Sequence, residues 1–393
     1  MKVIALYLPQ YHAIPENDIW WGKGYTEWDS LKRGTVLIDG QYQPRVPLHN
    51  YYYDLSDIEV MRWQVDMARE YGIYGFCVYH YWFDGKLLLH KPMENYLSSD
   101  IDFPFFFCWA NENWSNIWEG DTKTFKTLIT HNYSNRDDWR AHFNYWLPFF
   151  KDPRYIKENN CPLLDIYDPE ICGYDTLKEM MLFWDGLAKE NGFNGITYMY
   201  QASRAYASMK ENKRRLFKYN IEYCPSITDV ENLSSFSRMK GHLVNRISGL
   251  LRQFNKSILD RKLDAEKYKD TIKTIQDYDS QWGKILNRRP SSNTIPGAFV
   301  DWDNTPRRMR LGKVILGASP EKFKEYFKRQ IERAKIVYHK NMIIVFAWNE
   351  WSEGGYLEPD EKFRYGYLEA IKEALIETNE LENNNKTEIQ IER

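Results

Sequence analysis

Short runs rich in apolar, β-branched and aromatic residues recur along the chain with helical patterns between them, and this alternation limits the fold more than any other feature. Eight runs read as strands: Val3–Leu8, Gly75–Tyr79, Phe105–Trp109, Leu163–Tyr167, Ile196–Tyr200, Ile221–Tyr223, Gly297–Asp301 and Ile343–Trp348. Between the first two, Ile58–Tyr71 sets Val60, Met61, Val65, Met67 and Ala68 at helical spacing and is followed by Gly72 as a stop. Leu177–Asn191 and Pro320–His339 behave alike. The alternation predicts an α/β protein of the (β/α)8 TIM-barrel type, whose chemistry gathers at the C-terminal ends of the strands. Polar and aromatic residues do follow the strands: Gln10-Tyr11-His12, His80-Tyr81-Trp82, Ala110-Asn111-Glu112-Asn113-Trp114, Gln201-Ala202-Ser203, Trp302-Asp303-Asn304 and Asn349-Glu350. A doubly wound open sheet shares that property, but it usually carries a Gly-rich phosphate turn after its first strand, and none is present.

A chain of 393 residues with 43% hydrophobic content can build one such barrel or two ordinary domains. The expected organisation is a single catalytic barrel over 1–376, carrying a helical insertion at 226–290 before the seventh strand, and a disordered tail at 377–393. The insertion holds 13 basic against 8 acidic residues. It reads as a solvated helical face, or as a lid or surface for an anionic ligand. The net charge of −2 gives no global reason to expect nucleic acid as a partner. Cys77, Cys108, Cys161, Cys172 and Cys224 lack any CxxC spacing and read as reduced core thiols. Val3–Leu8 is too short for a signal-peptide core, and no apolar stretch approaches the roughly 20 residues of a membrane span, so a soluble, cytoplasmic protein without a transmembrane segment is expected.

The last apolar run empties into Trp348-Asn349-Glu350-Trp351-Ser352-Glu353-Gly354. Glycosidic chemistry needs one carboxyl group to protonate the leaving oxygen and another to act as base or nucleophile, while aromatic faces hold the sugar rings. Glu350 and Glu353 supply such a pair, and two nearby acids push their pKa values apart so that one keeps its proton near neutrality. The plainer alternative is a strand end with two solvated glutamates, and the flanking tryptophans weigh against it. Trp348 and Trp351 would bury the pair, and Asn349 could reach a sugar hydroxyl. An aromatic content of 16%, with 15 Trp and 29 Tyr, suits a lined cleft as well as a core. Glu112 is a rival partner for either glutamate, or a carboxylate that only binds hydroxyls. His80 reads equally as a substrate contact and as a hydrogen-bonded structural residue. Asp301 and Asp303 bracket Trp302 and spell a DxD, but without a nucleotide-sugar fold around it, and no HExxH or facial-triad spacing occurs. No metal and no cofactor is therefore expected.

At these motifs the chain resembles the WbsX family, named as glycosyltransferases of bacterial surface-polysaccharide gene clusters and itself similar to glycoside hydrolase family 99. The resemblance rests on Ala5-Leu6-Tyr7-Leu8-Pro9-Gln10-Tyr11-His12, on Trp20-Trp21-Gly22-Lys23-Gly24-Tyr25-Thr26-Glu27-Trp28, on Gly75 to Trp82, on Cys108 to Trp114, and on Trp348 to Gly354 with Leu357-Glu358-Pro359. It implies a (β/α)8 barrel without a metal requirement. The related hydrolases are retaining endo-α-mannosidases or mannanases whose asparagine-glutamate-tryptophan-x-glutamate motif matches Asn349 to Glu353. Carried over, Glu350 would deprotonate the sugar 2-hydroxyl so that this oxygen attacks the anomeric carbon, giving a 1,2-anhydro sugar, and Glu353 would act as general acid and then base. Ser352 stands where those hydrolases typically carry a histidine.

The expected function is thus that of a carbohydrate-active enzyme making or cleaving a glycosidic bond in O-antigen or capsule polysaccharide metabolism. Glu350 and Glu353 are the catalytic candidates. Tyr7, Tyr11, His80, Trp82, Trp109, Asn111, Glu112, Asn113, Trp302, Asn349 and Trp351 are the candidate substrate contacts. The expected partner is an oligosaccharide or polysaccharide, lipid-linked in one reading, with peripheral membrane contact. A nucleotide-sugar-dependent glycosyltransferase and a non-catalytic carbohydrate-binding barrel are the alternatives.

Overall fold

The structure, a computed structural model, describes residues 1–116, 126–133, 135–202, 209–231, 272 and 274–381. Eight parallel strands follow one another around a barrel: β1 (Lys2–Tyr7), β2 (Gly75–Phe83), β3 (Phe105–Trp109), β4 (Cys161–Ile166), β5 (Thr197–Ala202), β6 (Tyr219–Glu222), β7 (Thr294–Ile295 and Gly297–Phe299) and β8 (Met342–Phe346). The first half of β7 pairs with β6 and the second half, beyond Pro296, pairs with β8, which in turn pairs with β1. Proline has no N–H to give to a ladder, so the strand changes partner there and the ring closes. Gly297 lets β7 approach β6: a Cβ on it would lie 1.8 Å from the Glu222 carbonyl oxygen.

All nine residues of β2 are buried because one face of the barrel wall looks into its interior and the other is covered by helices. The strand period of two then sorts the side chains. Tyr79 and Tyr81 point inward. His80 and Trp82 point outward, onto a helix.

The helices that matter for the site are α1 (Pro15–Trp21), α2 (Glu27–Lys32) and α3 (Ile58–Glu70) between β1 and β2, α4 (Arg136–Lys151) and α5 (Tyr174–Glu190) around β4, α6 (Tyr278–Leu286) before β7, α7 (Thr305–Arg308) and α8 (Pro320–Ile336) before β8, and α9 (Gly366–Glu377). Their starts are chemically marked. Asp57 caps α3 by accepting from the Glu59 N–H, and Ser319 caps α8 ahead of Pro320. The buried stripe of α8 is Phe323, Phe327, Gln330, Ile331 and Ala334, spacing that keeps one face on the barrel. Each of its large apolar side chains stabilises the fold by roughly 1.5–3 kcal/mol through burial.

Two expected boundaries shift. The segment 226–290 is not wholly an insertion: α6 packs Trp282 against Phe299 of β7 as a barrel helix, and Thr274–Asp277 pairs in parallel with Lys313–Leu316. Residues 232–271 lie outside the described residues. At the other end, Glu377 closes α9, and Glu377 and Glu380 are ion-paired with Lys328 and Lys335, so order continues past 377; residues 382–393 lie outside the described residues. Among the described residues no helix is long and apolar enough to cross a membrane.

Candidate active site

The acid pair is presented by a small, heavily tied structure at the exit of β8. Asn349–Glu350 pairs antiparallel with Gly355–Tyr356, and the residues between form a 3₁₀ turn, Trp351–Glu353. Gly354 ends that turn at φ +73°, a conformation L side chains rarely adopt. Asn349 locks the exit to β1: its Oδ1 accepts from the Leu8 N–H at 2.8 Å and its Nδ2 donates to the Leu8 carbonyl at 3.0 Å. The Tyr11 hydroxyl donates to the Asn349 carbonyl at 2.5 Å. Trp351 stacks on Tyr356 with ring centres 3.7 Å apart and donates its indole N–H to Glu358 at 2.7 Å. Pinned on both flanks, the turn directs Glu350 and Glu353 into one cleft.

There they meet Arg307 of α7. Its Nη2 donates to Glu350 Oε1 at 2.9 Å and to Glu27 Oε2 at 2.7 Å, and its Nη1 donates to Glu353 Oε1 at 3.2 Å. Three carboxylates thus share one guanidinium. Burial raises Glu350 from 4.5 to about 8, with Arg307 opposing the rise and Glu353 and Glu27 adding to it. Glu353 is raised as well, first by burial, against Arg307. The two interact strongly enough to titrate as a unit. Arg307 is buried, and Glu27, Glu350 and Glu353 hold its charge against that burial. Glu112, half-buried on the facing wall after β3, is raised from 4.5 to about 7 by burial and then by Asp168 and Glu353. Near neutral pH the site therefore retains protons that exposed glutamates would have lost.

The cleft opens at the C-terminal mouth of the barrel. Trp21 and Tyr25 from the α1–α2 region, Tyr79 and Tyr81 from β2, Trp114 after β3, Tyr167 after β4 and Tyr223 after β6 supply aromatic walls, and Gln10 and Asn17 supply amides. Carboxylic acids facing several rings suit a sugar, whose CH faces stack while its hydroxyls bond.

Of the sequence-derived candidates, Glu350, Glu353 and Glu112 come together in this cleft, and the others do not line it. His80 lies against α4, its Nε2 2.8 Å from that of His142, and Trp82 stacks on the same His142 ring. Trp109 packs on His142 and Trp184 in the helical layer. These three sit on strand positions of outward parity. Tyr7 donates to Gln64 of α3, Tyr11 and Asn349 brace the turn, and Trp351 is committed to Tyr356 and Glu358. Asn111 ties two loops together by bonding both the N–H and the carbonyl of Asp168, while Asn113 is exposed and accepts from the His131 N–H. Trp302 packs on Phe346 of β8. The neighbouring aspartates are structural: Asp301 bonds Arg45 at 2.7 Å, and Asp303 accepts from Gln41, Gln43 and Thr305. Among the described residues no group of three His, Cys, Asp or Glu is arranged to hold a metal ion.

Sequence reasoning missed Glu27, Arg307 and the inward tyrosines. Tyr79 and Tyr81 share one parity on β2, but a strand buried on both faces does not show which parity looks inward. For Arg307 the only cue was a charged residue soon after β7. Glu27 stood inside a quoted motif without a role.

Residues 3–371 match the family model described as Glycosyltransferase WbsX. It belongs to the WbsX glycosyltransferase family. The chain is 32% identical, over 377 residues, to the uncharacterized protein WxcX of two strains of Xanthomonas campestris pv. campestris; the match covers 95% of this chain and 49% of each relative. The chain therefore spans about half the length of the curated relatives it matches. Among solved structures, a family 99 endo-α-mannosidase from Bacteroides thetaiotaomicron superposes with a TM-score of 0.53 at 14% identity, covering 96% of this chain and 97% of the other. A glycoside hydrolase-like protein gives 0.52 at 12%, covering 95% and 93%. At such identities these likenesses speak to the barrel fold.

Proposed function

We propose that this chain makes or breaks a glycosidic bond with retention of configuration, using Glu350 and Glu353 as its acid/base pair, in the assembly or remodelling of a bacterial surface polysaccharide. The observation that carries this reading is the convergence of both carboxyls on one guanidinium at the mouth of an aromatic-walled cleft, with burial raising both so that the pair shares a proton near neutrality. A base of raised pKa takes a proton more avidly once ionised, and an acid of raised pKa still holds one at neutrality.

In the first step the Glu350 carboxylate takes the proton of the sugar 2-hydroxyl, O2 attacks the anomeric carbon, and the bond to the leaving oxygen breaks as Glu353 gives that oxygen its proton. In the second step Glu353, now ionised, takes a proton from the acceptor, whose oxygen opens the 1,2-anhydro ring at the anomeric carbon, while Glu350 returns its proton to O2. Two inversions give net retention. The acceptor is water in hydrolysis and a sugar hydroxyl in transfer, and the same residues serve both.

The test is to incubate the protein with lipid-linked oligosaccharide or surface polysaccharide, with and without nucleotide sugars, and to follow products by mass spectrometry. Turnover without nucleotide that disappears in both Glu350→Gln and Glu353→Gln supports the reading. Product formed only with a nucleotide sugar assigns a different donor chemistry, and binding without any product assigns a carbohydrate-binding barrel.

A further inference from the structure

Glu27 lines the cleft beside the acid/base pair. It is the first residue of α2, a helix fixed by a capping box in which the Asp29 carboxylate accepts from the Thr26 N–H at 2.8 Å. The helix is tied to the catalytic turn at the same residue, because the Ser352 hydroxyl donates to the Glu27 carbonyl at 3.2 Å. Its side chain then reaches Arg307 at 2.7 Å, on the same Nη2 that serves Glu350 at 2.9 Å. Two carboxylates bonded to one nitrogen lie within about 6 Å of each other, close enough for the Glu27 charge to act on Glu350.

We infer that Glu27 is a positioning residue for the acid/base pair: by claiming a share of the Arg307 charge it leaves Glu350 and Glu353 less neutralised than Arg307 alone would, and so strengthens their hold on a proton. The inference deepens the acid/base reading of Glu350 and Glu353 and rests on it for its consequence in turnover. If Arg307 faced the pair alone, it would favour their ionised forms more strongly against the burial that raises them. Glu27 sets a limit on that. Ser352 acquires a purpose in the same arrangement, since it holds the backbone of Glu27 to the turn whose charges Glu27 controls.

Among the described residues, the groups facing the pair are these. Besides Glu27 and Arg307 there are Arg308 beside it on α7, which opposes the rise of Glu353, Glu112 across the cleft, and Tyr11, Tyr79, Tyr81, Tyr167 and Tyr223, which burial keeps as neutral phenols. Glu27 and Arg307 act on Glu350 in opposite senses, the carboxylate raising it and the guanidinium lowering it.

The test reads protonation directly and needs no substrate. Protein labelled with ¹³C at the glutamate carboxyl carbon is titrated by NMR, with Glu350→Gln and Glu353→Gln assigning the two signals. Glu27→Gln should lower the midpoints of the pair by about one pH unit and Arg307→Gln should raise them by at least as much. Glu361→Gln, far from the cleft, should leave them in place. If Arg307→Gln does not fold, Arg307→Lys serves, with a smaller rise expected because a point charge cannot bond all three carboxylates. Midpoints that stay put in Glu27→Gln, or that move in the same direction in the Glu27 and Arg307 variants, overturn the inference. Because the unliganded protein is titrated, that failure is distinct from an absence of glycan turnover, which would instead overturn the acid/base reading. Where turnover is measured, the acid and base limbs of the kcat/KM profile should move with the NMR midpoints.

Discussion

Glu358 is a buried carboxylate beneath the turn that carries Glu350 and Glu353, and changing it to Gln should make the protein more stable at alkaline pH. Its oxygens accept from the Tyr53 hydroxyl at 2.9 Å, Gln64 Nε2 at 2.7 Å and the Trp351 indole at 2.7 Å. Those donors favour the ionised form, yet burial outweighs them and raises the group from 4.5 to about 7. An acid whose folded pKa lies above its unfolded value favours folding most where both states are protonated, below about 4.5, and loses that contribution as pH rises through about 7. A rise of this size corresponds to about 3 kcal/mol. Glutamine has nearly the shape of the protonated acid and does not titrate. Glu358→Gln should therefore lie within about 1 kcal/mol of the parent near pH 4.5 and gain about 3 kcal/mol relative to it by about pH 8. Urea unfolding at a series of pH values reads the difference, and comparing two proteins that share every other titrating group cancels the rest. A difference that stayed constant with pH, or that turned against the variant as pH rose, would show that Tyr53, Gln64 and Trp351 overcome burial, and the electrostatic reasoning applied to the neighbouring acids would fall with it.

Gly354→Ala should cost about 1–3 kcal/mol and reduce turnover, because a Cβ at φ +73° would lie 2.8 Å from the Asp303 nitrogen and 3.0 Å from Arg45 Cζ, forcing the turn that carries Glu353; a thermal melt and an activity assay check both. His80→Leu should leave kcat within about twofold while Tyr81→Ala raises KM about tenfold or more, since only Tyr81 faces the cleft; equal effects would contradict the parity assignment of β2. Trp282→Ala, which empties a fully buried site between Phe299 and Tyr326, should destabilise by about 3–5 kcal/mol in the same urea experiment.

The barrel was legible because each wall strand is an apolar run interrupted by helical periodicity, and Glu350 and Glu353 because they sit where the last run stops. What the letters hid was side-chain direction. His80 and Trp82 are conspicuous as residue types, but Tyr79 and Tyr81 hold the inward positions, and a strand buried on both faces offers no hydrophobic alternation from which to tell them apart. Asn349 looked like a sugar ligand because it adjoins a catalytic candidate; its amide bonds both the N–H and the carbonyl of Leu8, a role set by a partner 341 residues away in the chain. Arg307 and Glu27 were hidden for the same reason. Each is an ordinary charged residue until the closing of the barrel brings α2, α7 and the turn after β8 together. The segment 226–290 misled by its basic composition, which masked the barrel helix α6 near its end.

The proposed chemistry of the cleft depends on the acid/base pair. Its most direct test is the anomeric ¹H NMR spectrum recorded while the protein acts on surface polysaccharide, with Glu350→Gln and Glu353→Gln alongside, each shown to be folded by circular dichroism. The account predicts a first-formed product with the same anomeric configuration as the linkage consumed, and at least about a hundredfold loss of rate in both variants. An inverted first product, or either variant turning over at the parent rate, would contradict it.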